Sequence, residues 1–594
     1  MAVVSSQESP IMDELAHIPA GYSYVRFFDY RLNPEHPPLM KALSGLPLLF
    51  FDLSFPTDHE SWTQDVNGQW SAGNLFIFHS NNNNAELIIS WSRLFPIILT
   101  LLLIFLVFWW SRELMGSWWA LAPTFLTAVS PHILSHGHYV TTDIGAALGF
   151  IAGLYFFVRF LKNPSWKNTG LAGLFWGLAQ LTKFSIILLI PIFVLTLIAA
   201  WWMKTREKGS RVFGSASLKL FWVYIRGFVA ILVVGIVVVW MTYALFTIHY
   251  PPERQLSDTS FILGSFAGGD QGLGLVQCTP QHLSLRCLAE IDIWMSDKPT
   301  LQGLGQYILG VLMVMQRSSG GNTAYFLGEV GASGWWYYFP VVFLLKESIP
   351  ALLALIIGIS LAFWRFLARK KESLLSRFYS YLSLNLAEFS MMVLVIVYWI
   401  YSIRSPLNIG FRHILPTIPF LYILSVGSIK RWKPSLRNTA TKKILMGTIL
   451  LWVGIESIIA YPFFLSYFNE IGGGVKNGYQ YVTDSNYDWG QDLARLQTFV
   501  KENRIDKIAV DYFGGGDVLY YLGENGVLWS SSKGDPRDEG IRWLAVSINT
   551  LQGAKAEPSP GFERKQEDEY LWLEDYKNPY ARAGTSIFIY HLED

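Results

Sequence analysis

The sequence predicts a polytopic α-helical membrane protein of about ten transmembrane helices that ends in a small α/β domain. Three observations carry the prediction. Of 594 residues, 52% are hydrophobic, 16% aromatic and only 15% charged, with mean hydropathy +0.30, far from the soluble average. Apolar runs long enough for membrane helices recur as far as residue 463, with basic residues gathered between alternate runs. Beyond about residue 469 the composition turns soluble, with short β-rich stretches.

The runs lie at 87–110, 118–134, 143–161, 170–182, 184–203, 220–246, 336–364, 388–403, 411–429 and 443–463. A membrane helix needs about 20 apolar residues, somewhat fewer if short or tilted. Lys and Arg collect on the cytoplasmic side of such helices. Here they form four clusters: Lys162 and Lys167; Lys204, Arg206, Lys208 and Arg211; Arg365, Arg369, Lys370 and Lys371; and Lys430, Arg431, Lys433, Lys442 and Lys443. Arg112, beside Glu113, fits the same order. Both termini then lie outside the cytoplasm, and the chain divides into a segment 1–86, a membrane body 87–468 with an outer loop 247–335, and an outer α/β domain 469–594.

The only two cysteines, Cys278 and Cys287, fall in the outer loop, where an oxidising compartment favours a structural disulfide. In the tail, strands are expected at Lys507–Phe513, Ile541–Ile548 and Thr585–Leu592, and an amphipathic helix carrying Leu493, Leu496 and Val500 is expected behind an Asp488 N-cap. Residues 1–11 have neither the basic start nor the apolar core of a signal peptide. A net charge of +1 offers nothing to nucleic acid, which is not expected as a partner.

Chemistry concentrates just ahead of the first run, where Asp13-Glu14 and Glu35-His36-Pro37-Pro38 crowd acidic and cationic groups at a membrane surface. The ordered motifs DELAHIPAGY, NPEHPPLMK, SPHILSHGHYVTTD and GLAQLTKF resemble the lipid-carrier-dependent glycosyltransferases that include protein O-mannosyltransferases and the lipid A aminoarabinose transferase. LLKESIPALL, NIGFRHILPTIPF and YFNEIGGGVKNGYQYVTDSNYDWGQDL resemble a bacterial and archaeal branch of that family. The resemblance implies a GT-C-type fold in a bacterial or archaeal plasma membrane, and an active site facing outside. It also implies transfer with inversion from a polyprenyl-phosphate-linked sugar donor, reached laterally from membrane lipid. The acceptor class stays open among protein, lipid and glycan.

Carried over by motif, Asp13 is the expected base and Glu14 its orienter, and Asp143 faces the same cavity. His36 stands where the aminoarabinose transferases have lysine. The resemblance also implies a transmembrane helix ahead of the Asp-Glu pair. Either the first span inserts with its N-terminus outside, or such a helix lies upstream of Met1.

The reaction makes the same demands independently. Sugar transfer to a hydroxyl needs a positioned base. The leaving phosphate gains charge that fixed cations stabilise, and His36, Lys41, Lys183, Arg404, Arg412 and His413 are the candidates, with Glu35 in support. Snorkelling to the interface is the plainer reading for Lys183 and for Lys346-Glu347.

His136 and His138, with Glu35, are of metal-ligand type but lack tight spacing. No cofactor is therefore expected, a divalent metal being the alternative. Asp484 to Asp488 start like a calcium loop, yet Gly490 falls one place late and Arg495 stands where Glu is required, so capping and turns are the expected roles. Two rival functions fit the hydropathy: a polytopic transporter or lipid flippase without transferase activity, and a non-catalytic receptor.

Overall fold

In the computed structural model, residues 1–207, 209, 214–268, 285–368, 373–432, 440–576 and 578–593 are described. All ten apolar runs fall on helical segments. Seven helices among the described residues are long and apolar enough to cross a membrane: Ala85–Met115, Asp143–Lys162, Phe184–Glu207, Ser215–Phe246, Ile349–Ala368, Leu374–Arg404 and Thr441–Ala460. The other three runs yield shorter helices, Ser117–Val129, Trp166–Gln180 and Ile418–Arg431, of 13, 15 and 14 residues. Each is cut short by local punctuation. Ser130-Pro131 ends the first, the Leu181–Lys183 turn ends the second, and short 3₁₀ turns around Pro416 delay the third.

The membrane helices pack closely where glycine allows it. On Trp166–Gln180, a Cβ at Gly173 would lie 2.7 Å from the Val234 side chain, and one at Gly177 would lie 2.8 Å from the Gly235 carbonyl of Ser215–Phe246. Two backbones therefore approach through a small-xxx-small stripe, a device suited to bilayers, where lipid removes the hydrophobic drive for helix pairing.

The long segment after Ser215–Phe246 contributes the helices Pro252–Ile262, Leu285–Ser296 and Gln302–Gly320, followed by a hairpin of β1 (Ala324–Phe326) and β2 (Glu329–Gly331). Cys287 is buried in the second of these helices, whereas Cys278 lies outside the described residues, and the expected disulfide with it.

The tail forms β3 (Ile508–Asp511), β4 (Gly526–Leu528), β5 (Trp543–Ser547), β6 (Glu557–Pro558), β7 (Ala581–Ala583) and β8 (Ile587–His591). Five of them build a sheet in the order β4-β3-β5-β8-β7, parallel from β4 to β5 and antiparallel beyond. The sixth, β6, pairs with β2, which ties the tail to the segment before Tyr338. The amphipathic helix Leu493–Glu502 covers the sheet through Leu493, Leu496 and Val500. It starts at Asp492 rather than Asp488, because the Asp488 carboxylate already accepts the Gly490 and Asn549 amides at 3.2 and 2.9 Å.

Candidate active site

Asp13 and Glu14 open the helix Met12–Phe27, where carboxylates are favoured by the positive end of the helix dipole. Neighbouring helical residues point about 100° apart, and the two side chains go to different places. Glu14 turns inward and forms a two-point ion pair with Arg93 at 2.8 and 2.6 Å, both side chains being 0% exposed. It also accepts the Ile11 and Val140 amides, each at 3.0 Å. Arg93 in turn donates to the carbonyls of Ser5, Glu8 and Ser9. Glu14 is thus an anchor for the N-terminal segment and stands apart from the reactive cluster.

Asp13 faces the other way. Its Oδ2 accepts the Arg412 guanidinium at 2.7 Å, and its side chain keeps 21% exposure. Asp143, the first residue of Asp143–Lys162, reaches the same arginine at 4.0 Å and is paired with Lys183 at 2.7 Å. His136 Nδ1 lies 3.9 Å from Asp143. Two helix N-termini therefore aim carboxylates at one arginine, and a lysine closes the row. Lys183 does not snorkel; it is an internal ion-pair partner.

Around this row stand buried polar atoms without a hydrogen-bond partner among the described residues: Asp143 Oδ2, Arg412 Nε, His36 Nδ1, His136 Nδ1 and His413 Nε2. Buried polar groups are almost always paired, so such a concentration marks a place built to bind something polar. His17 adds a further ring, 5.0 Å from His36, with its Nδ1 donating to the Val140 carbonyl at 2.7 Å. Burial pushes the His17 and His36 imidazoles down, His36 well below its usual range, and pushes His136 to about 3. Burial thus works against a charged His36, and the side chains that pair with Asp13 and Asp143 are Arg412 and Lys183.

Other candidates are placed elsewhere. Lys41 is buried and surrounded by the Tyr24 hydroxyl, the Asn33 carbonyl, the Asn33 side-chain oxygen and the His36 carbonyl, at 2.7 to 2.9 Å. Its ammonium folds the Asn33–Pro37 loop and is spent on it. Glu35 sits at the rim, 3.2 Å from Arg317. His138 is held by Glu8 at 2.9 Å and by the Leu134 carbonyl. His136, His138 and Glu35 are therefore not brought together, and no group of three or more His, Cys, Asp or Glu among the described residues is arranged to hold a metal ion. Arg404 ends its helix exposed. Lys346 does not snorkel either: buried, it donates to the carbonyls of Leu465, Tyr467 and Asn486, while Glu347 accepts the Tyr422 hydroxyl at 2.9 Å.

The cluster also includes tail residues for which the sequence predicts only capping and turns. The Arg412 guanidinium carbon lies 4.2 Å from the Trp489 ring centroid, over the ring. Asn486 Oδ1 accepts the Phe411 amide at 2.9 Å and the Ser485 hydroxyl donates to the Ile409 carbonyl at 2.5 Å. Asp484, at φ +55, brings a carboxyl into the field of Arg412 and Asp13, and burial pushes it up to about 6. The run Asp484 to Trp489 was visible as a motif. What hid its role was that its partners lie some seventy residues earlier in the chain.

Residues 89–240 match the protein family described as dolichyl-phosphate-mannose-protein mannosyltransferase. No curated protein matches the chain. Among solved structures, the chain is similar to ArnT from Cupriavidus metallidurans bound to undecaprenyl phosphate, at 12% identity over 99% of this chain and 95% of that one, with a TM-score of 0.43. It is similar to the S. cerevisiae protein O-mannosyltransferase Pmt1-Pmt2 complex bound to the sugar donor, at 20% identity over 46% of this chain and 36% of that one, with a TM-score of 0.31. The Archaeoglobus fulgidus oligosaccharyltransferase in complex with Zn and sulfate is 12% identical over 100% of this chain and 72% of that one, with a TM-score of 0.37. Over residues 89–240, which overlap the first six apolar runs, the chain therefore matches a family of membrane glycosyltransferases, as its motifs led one to expect.

Proposed function

We propose that this membrane protein transfers a sugar from a polyprenyl-phosphate-linked donor to an acceptor hydroxyl outside the cytoplasm, with inversion at the anomeric carbon and Asp13 as the base. The observation that supports this most is the convergence of Asp13 and Asp143 on Arg412, with Lys183 paired to Asp143, amid buried polar atoms that have no hydrogen-bond partner among the described residues. The acceptor oxygen attacks the anomeric carbon while its proton passes to Asp13. The bond from that carbon to the phosphate oxygen breaks, and its electron pair leaves with the lipid phosphate. One displacement without a covalent enzyme intermediate inverts the centre.

In this reading Arg412 and Lys183, paired with Asp13 and Asp143, serve the charge that develops on the leaving phosphate, and fixed charges of this kind lower the barrier because they need no reorganisation. The neutral His17, His36 and His136 can donate or accept hydrogen bonds to sugar hydroxyls without adding charge. Segments 1–86 and 247–335 and the domain 469–594 would form the outer part of the enzyme, and the donor would enter from the bilayer side.

The test is to supply the reconstituted protein with purified polyprenyl-phosphate sugars and an extract of acceptors. Donor consumption, release of free polyprenyl phosphate and an inverted anomeric signal in the product are expected. No transfer with any donor, together with movement of donor between leaflets, would favour a flippase instead.

A further inference from the structure

We infer that the C-terminal unit is part of the reaction centre, with Trp489 as the positioning residue that sets Arg412 against Asp13. This rests on the reading of Arg412 as a phosphate-binding cation and assigns the tail a role within that site. Two contacts of one residue carry it. The Trp489 ring, 1% exposed, has the Arg412 guanidinium carbon 4.2 Å from its centroid, and its carbonyl accepts the Met12 amide at 3.0 Å, fixing the residue next to Asp13. Both halves of the Asp13–Arg412 pair are thus referred to a single residue that lies in the tail.

Trp489 is itself held from several sides. Its amide donates to Gln491 Oε1 at 2.9 Å, and its ring meets those of His136 and Tyr139 at 5.9 and 6.1 Å. At Gly490, with φ +97, a Cβ would fall 2.3 Å from Gly514, so the loop can lie against the next tail segment only because it lacks a side chain.

Behind the loop stands the sheet. Asn549, just past β5, accepts the Thr483 hydroxyl at 2.7 Å and the Asp484 amide at 3.0 Å, and donates its amide to Asp488. Asp492 accepts the amides of Thr585 and Ser586, just before β8. The order of support runs from sheet to loop to Trp489 to Arg412. A guanidinium held over a ring face keeps N–H groups available, and Arg412 Nε has no hydrogen-bond partner among the described residues.

The experiment measures undecaprenyl phosphate binding and donor KM and kcat for the full-length protein in lipid nanodiscs, with melting curves to count folded molecules. Replacing the π face by an aliphatic side chain, Trp489→Leu, is expected to weaken undecaprenyl phosphate binding about tenfold and to raise donor KM alike, whereas Trp489→Phe stays within about threefold of wild type. Asn549→Ala, which touches neither Arg412 nor Asp13, is expected to weaken binding in the same direction. A purely structural Trp489 would lower the melting temperature and leave binding per folded molecule unchanged, which would overturn the proposal. Arg412→Ala separates the two readings: if it leaves undecaprenyl phosphate binding intact, the assignment of Arg412 itself falls, and if it weakens binding while Trp489→Leu does not, only the role of Trp489 falls.

Discussion

Asp13 and Glu14 are adjacent, chemically alike and equally prominent in the sequence, yet one stays partly exposed beside Arg412 and the other is sealed against Arg93. Helical phase separates them, and no local pattern says which side is inside. Glu14→Gln is therefore expected to cost about 3–5 kcal/mol of stability, because it leaves a buried guanidinium without its counter-charge; thermal unfolding in detergent checks this. Histidine charge was similarly illegible, since His36 has an ordinary pKa near physiological pH until burial pushes it down. Asp484 gives the reverse case. With its carboxyl raised to about 6, it is neutral in mild acid and ionises as the pH rises, then competing for Arg412. Polyprenyl phosphate binding should accordingly weaken between about pH 5 and about pH 7 more steeply in wild type than in Asp484→Asn. Equal slopes in a binding titration would remove Asp484 from the site.

At the scale of elements, the apolar runs and the tail strands were legible because their periods and compositions are local properties. The three expected strands become β3, β5 and β8 with ends shifted by one or two residues. The helix start at Asp488 was misjudged because an N-cap is recognised by residue type, while the actual partners of that carboxylate come from Gly490 and from Asn549, sixty-one residues away. Burial raises Asp488 to about 8, beside the like-charged Asp492. A carboxyl raised on folding contributes stability that is complete below the unfolded pKa of about 4 and is lost as the pH rises toward the folded value. The melting temperature should thus fall from about pH 5 to about pH 8, and Asp488→Asn should flatten that fall.

Over the whole molecule, the first fourteen residues, the membrane helices and the tail meet at one point. Arg93 gathers the N-terminal segment, Lys346 gathers the loop around Leu465 to Asn486, and Trp489 joins both to Arg412. The ordered motifs drew attention to the stretch around Asp13, but the convergence of residues 13, 143, 183, 412 and 489 is long-range and belongs to the fold alone. The charge pattern nonetheless makes a global prediction. A cysteine at the exposed tail position Lys501 should react with an impermeant label in intact cells, and one at exposed Lys167 only after permeabilisation. The reverse pattern would put the site on the cytoplasmic side.

The most direct measurement is single-turnover sugar transfer by Asp13→Asn from a purified polyprenyl-phosphate donor, with donor binding followed in parallel. A general base of this kind contributes typically 10²–10⁴-fold, so transfer should fall by roughly that factor while donor binding persists through Arg412 and Lys183. Transfer at the wild-type rate would contradict the assignment of Asp13 as the base.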